Sequence, residues 1–183
     1  MADAKFPTEM VGLPSKGYFY PPDDPLSSGE IELKYMTAKE EDILTSQNLI
    51  KKGIVIDKLL ESLVVSKDIN LDTMLIGDKN AIMVAARVLG YGKEYDFEVN
   101  CASCGEHNKD NIDLTTVSDR EVAFEKFDKG KNEFEFELPA SKRTVGFKFL
   151  TQKDERSIDT DLKALKKISK VSGIDSEVTT RLK

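Results

Sequence analysis

The chain has 183 residues, with 27 Lys and Arg against 33 Asp and Glu, for a formal charge of −6. A mix of 39% hydrophobic and 33% charged residues fits one folded domain or two small ones and excludes a disordered or fibrous chain. No apolar run approaches the roughly 20 residues that cross a bilayer. The first residues lack a secretion signal, so secretion is not expected, and the acidic balance argues against a nucleic-acid surface.

Residues 1–30 carry most of the prolines and no sustained period, which predicts an extended arm. Tyr18, Phe19 and Tyr20 sit inside it. Three neighbouring aromatics are expected to dock, either on the chain's own core or as a partner-binding element. On the second reading, deleting residues 1–29 leaves a folded protein that no longer joins its partner.

Residues 31–92 read as a helical part. Ile31 to Tyr35 alternates as a short half-buried strand does. Thr37 and Glu40 match a capping box, which predicts a helix from about Ala38 to Ile50 ended by Gly53. A second helix is expected over Ile54 to Val65, with Ile56, Leu59, Leu60 and Leu63 on one face. A third is expected over about Lys79 to Leu89, with Asp78 as N-cap and Gly90 as the stop. Glu40, Glu41 and Asp42 fall in a first helical turn, where negative charge favours the helix dipole; catalysis is not expected there.

From Gly92 the apolar period changes from 3.6 to 2, so residues 93–150 read as an antiparallel β part of about four strands. Tyr95, Phe97 and Val99 mark one strand and Ile112 and Leu114 the next. Phe134, Phe136 and Leu138 mark a third, and Val145, Phe147 and Phe149 a fourth. Residues 151–183 read as a C-terminal helical segment, with Ile158, Leu162, Leu165 and Ile168 as its apolar stripe and an end near Gly173. A further start is expected at Asp175 or Ser176, and the uncapped end after Val178 reads as a truncated product. The fold class is therefore α+β: an N-terminal helical cluster, a small antiparallel sheet with a Cys-x-x-Cys turn, and a C-terminal amphipathic helix.

Cys101-Ala102-Ser103-Cys104-Gly105 has the spacing of a metal knuckle, and Gly105 can take the positive φ that such a turn needs. With His107 the chain offers at most three ligands. No cofactor is therefore expected, except zinc if a fourth ligand comes from another chain, from Asp110 or from water. A metal-free turn with reduced thiols is the leading reading, and a disulfide or redox role is the weakest. No nucleophile elbow, Walker loop, dinucleotide fingerprint or His-Glu-x-x-His occurs, so no catalytic residue is assigned.

Several blocks together resemble baseplate proteins of T4-like tailed phages. They are Leu13 to Tyr20, Met36 to Asn48, Leu75 to Asn80, and Tyr91 to Tyr95 leading into Cys101 and Cys104. The resemblance implies a non-enzymatic subunit or assembly factor of the tail baseplate hub, made late in infection, whose partners are other hub proteins or further copies of itself. It implies work in the host cytoplasm during assembly and a place in the virion tail baseplate. A metal-knuckle module that regulates or binds nucleic acid is the alternative, and local charge around the knuckle speaks against it.

Overall fold

The computed structural model describes residues 6–168, and side chains as far as residue 165. The expected helix end near Gly173, the further start at Asp175 or Ser176 and the truncated end lie outside the described residues. The fold is α+β, built from five helices and short antiparallel strands among the described residues. It divides into two compact units: Met1–Ile69 with Asn80–Lys131, and Asn70–Lys79 with Asn132–Lys183.

In the first unit, β1 (Thr8–Gly12) pairs antiparallel with β2 (Glu30–Lys34), from Thr8 opposite Lys34 to Gly12 opposite Glu30. The segment between them, expected as part of an extended arm, is a closed loop. Asp24 caps a short 3-10 turn at Pro25–Ser28 by accepting the Leu26 N–H at 2.9 Å. Gly17 has φ +69, and a Cβ there would lie 2.3 Å from the Ser27 carbonyl oxygen. Only glycine combines that backbone with that close approach. The loop buries Leu13, Phe19, Tyr20 and Leu26, while β2 buries Ile31 and Leu33.

The helix expected from Ala38 to Ile50 is two helices, α1 (Ala38–Thr45) and α2 (Gln47–Lys52). Ser46 separates them with an extended backbone, φ −67 and ψ 104. Serine competes poorly inside helices and well at their ends. Gly53 closes α2 at φ 69, with its N–H on Ile50 and the Ile54 N–H on Leu49, the pattern of a left-handed C-cap. Helix α3 (Val55–Leu63) stops two residues before the expected end. Val64 bridges to Leu33 and the Val65 N–H donates to the Glu32 carbonyl at 3.1 Å, so these β-branched residues extend the strand pairing of β2.

Helix α4 (Ile76–Tyr91) begins before Asp78 and runs through Gly90, correcting both expected ends. A Cβ at Gly90 would meet the Met36 sulfur at 2.3 Å. That glycine admits a neighbour, and the stop falls to Gly92 at φ +82. Leu59, Leu63 and Ala86 form a core cluster with Met36, Ile43 and Leu44 packed against it.

The expected four-stranded sheet is instead two separate hairpins. β3 (Glu94–Asn100) pairs with β4 (His107–Asp113) in the first unit, and β5 (Phe134–Glu137) with β6 (Thr144–Phe147) in the second. Leu114 lies beyond β4, in a 3-10 turn. In the second unit the Asn132 side chain donates to the Phe149 carbonyl and accepts its N–H, both at 2.9 Å, which adds one rung below β5–β6.

Also in the second unit, Leu75 bridges to Thr151, the Ile76 N–H donates to Leu150 and the Gln152 N–H to Met74. Helix α5 (Gln152–Ile168) starts where expected. Asp154 accepts from the Thr151 N–H at 2.9 Å and from its hydroxyl at 2.7 Å. Its stripe buries Ile158 and Leu162 and half-buries Leu165. No helix among the described residues is long and apolar enough to cross a membrane.

Candidate functional site

The aromatic loop, the Glu40 cluster and the two hairpins carry the side chains that local structure alone leaves unexplained. In the loop, Phe19 and Tyr20 are 5% and 4% exposed. Phe19 lies edge-on to Tyr18 and Phe127, and Phe124 stands 5.2 Å from Tyr18 and 5.8 Å from Phe19 between ring centroids. The Tyr18 hydroxyl donates to the Phe127 carbonyl at 3.0 Å, and the Gly130 N–H donates to the Tyr18 carbonyl at 2.8 Å. Residues 124–130 thus wrap the loop from a sequence distance of over a hundred residues. The structure spends two of the three candidate partner-binding aromatics on the chain's own interior, and Tyr18 is half-buried.

Glu40 is fully buried. Its carboxylate accepts from the Thr37 N–H at 2.9 Å, the Thr37 hydroxyl at 2.6 Å, the Lys34 ammonium at 2.8 Å and the Ser62 hydroxyl at 2.5 Å. These bonds tie β2, the start of α1 and α3 to one group. Burial alone would raise the Glu40 pKa; the hydrogen bonds from Lys34, Ser62 and Thr37 outweigh it and bring it from 4.5 to about 2. Neighbouring Glu41 remains at the surface and accepts the Tyr91 hydroxyl at 2.5 Å. The acidic cluster therefore splits into one interior anchor and an outward face. Sequence reading missed the anchor, although Lys34 and Thr37 stand in the same short stretch.

The β3–β4 hairpin carries the Cys-x-x-Cys turn at its tip. Both cysteines are free, with Cys101 half-buried and Cys104 exposed. The Cys101 N–H donates to the Glu106 carbonyl and the Gly105 N–H to the Cys101 carbonyl, both at 2.8 Å, and Gly105 has φ +74. The backbone N–H groups of Cys104 and Ser103, followed by the Cys104 thiol, donate to the Cys101 sulfur and hold its pKa below the ordinary thiol value. The structure does not bring His107 to the cysteines. Its ring nitrogens lie 2.9 Å from Asn100 Oδ1 and 3.1 Å from Glu98 Oε2. Among the described residues no three of His, Cys, Asp and Glu are grouped to hold a metal ion.

Both hairpins present uncovered apolar side chains. Tyr95, Val99 and Ile112 are exposed on β3–β4. On β5–β6, Phe134 stands opposite Phe147 and Phe136 opposite Val145, so all four share one face. Phe136 is 53% and Phe147 49% exposed. The glutamates at 133, 135 and 137 alternate with these residues and take the other face.

The sequence profile of the family described as T4 bacteriophage base plate protein matches residues 18–179. The chain belongs to that family. No curated protein and no solved structure matches it. The family match takes in the aromatic loop from Tyr18, the Glu40 anchor, both hairpins and helix α5. For a base plate protein, whose neighbours are other phage structural proteins, apolar side chains left in solvent have a natural use. Sequence alternation marks the phenylalanines of β5 and β6 as strand residues but places them in one sheet of about four strands.

Proposed function

We propose that this base plate protein is a subunit or assembly factor of the baseplate hub that acts by protein contact rather than by turnover. On this reading it joins other hub proteins in the host cytoplasm and takes a place in the tail baseplate. The observation that carries the reading is the uncovered face of β5–β6. A two-stranded hairpin is marginal alone, and contiguous apolar surface rimmed by charge is characteristic of protein interfaces. Burying two half-exposed phenylalanines against a neighbour contributes a few kcal/mol at about 25 cal/mol per Å², less the ordering cost. Nucleic-acid binding by the Cys hairpin is disfavoured by charge, since residues 94–113 hold six carboxylates and one lysine.

The test is a phage carrying Phe136→Ser with Phe147→Ser, followed by mass spectrometry of purified particles beside capture from infected cells. The expected result is a soluble, folded variant that no longer captures base plate proteins. The same pair of measurements on the unaltered chain separates a resident subunit from a factor that departs. Wild-type capture by the double variant overturns the contact face.

A further inference from the structure

We propose that Cys101 and Cys104 form one half of a tetrathiolate zinc site, completed by the same pair from a second copy of this chain. The half-site is already shaped. The turn is closed by the Cys101–Glu106 and Gly105–Cys101 backbone bonds, and Gly105 occupies the left-handed conformation that a metal knuckle needs.

Zinc in a structural site takes four ligands in a tetrahedron. This hairpin offers two soft sulfurs at an exposed tip, and its histidine is held by Asn100 and Glu98 instead. A two-fold axis through the metal supplies the remaining two sulfurs with identical chemistry and closes the assembly at a dimer. Val99, exposed two residues before Cys101, adds apolar area beside the contact. The six carboxylates of each hairpin repel those of its twin, so association awaits the metal and strengthens with salt. Each thiol still protonated loses its proton to solvent as its Zn–S bond forms, and no electrons move.

The test uses the full chain, reduced and stripped of metal, titrated with Zn²⁺ and followed by metal analysis and sedimentation. The expected result is one zinc per two chains, a doubling of mass that a chelator reverses, and tighter association at about 0.15 M salt than at low salt. Co²⁺ in place of zinc should give the intense visible bands of tetrahedral thiolate coordination. Cys104→Ser should lose the bands and the dimer with unchanged far-ultraviolet circular dichroism, and His107→Ala should keep both. One zinc per monomer, no zinc bound, or metal-dependent dimers of Cys104→Ser overturn the proposal.

Discussion

Strand β2 and the β5–β6 hairpin show the same alternation of apolar and polar residues and meet opposite ends. In β2, Ile31 and Leu33 are sealed from water, and Lys34 from the other face reaches the buried carboxylate of Glu40. In β5–β6, Phe136 and Phe147 align with the same regularity and remain half in water. Alternation therefore reveals which residues share a face; whether anything covers that face depends on distant segments. The sealed region supplies stability, and the open one is the face that the proposed function assigns to contact with a neighbour.

Four measurements sharpen that contrast. Deleting residues 1–29 removes β1 and the buried Leu13, Phe19, Tyr20 and Leu26. The expected outcome is loss of the first unit's fold, seen as lost amide protection over residues 38–65. Survival of that protection would return the segment to the status of a separable arm. Glu40→Ala should cost about 3–5 kcal/mol in denaturant unfolding, because it strands the Lys34 ammonium and the Ser62 hydroxyl.

The same group sets an acid sensitivity. Its pKa is lower in the folded chain than its ordinary 4.5, so its contribution is fully present above about 4.5 and fades as pH falls toward about 2. Glu40→Ala should flatten that part of the stability profile. The smallest change belongs to Phe136→Ser with Phe147→Ser, which should alter unfolding free energy by about 0.5 kcal/mol or less per site. A larger loss would mean that these rings belong to the chain's own core.

What was legible in the sequence was local. Thr37 with Glu40 marked a helix start because the pair answers amides within one turn, and Thr151 with Asp154 makes the same kind of bonds at the start of α5. Period-two runs marked all four strands of the two hairpins. The pairings missed were made by main-chain groups that every residue owns: Val65 with Glu32, Ile76 with Leu150, and β1 with β2. Ser62 beside Glu40 was hidden for a related reason, since a serine near the end of a helix carries no sign of which carboxylate it will meet. At the candidate site, spacing marked the Cys-x-x-Cys turn, but His107 meets residues on its own hairpin, Asn100 and Glu98.

The bare rings of β5–β6 also govern how this chain must be handled and produced. Molecules that keep such surface in water adhere to one another as their concentration climbs, so a free pool ought to stay dilute and short-lived. The isolated chain should therefore be handled dilute, and co-production with its neighbours should raise the concentration it tolerates.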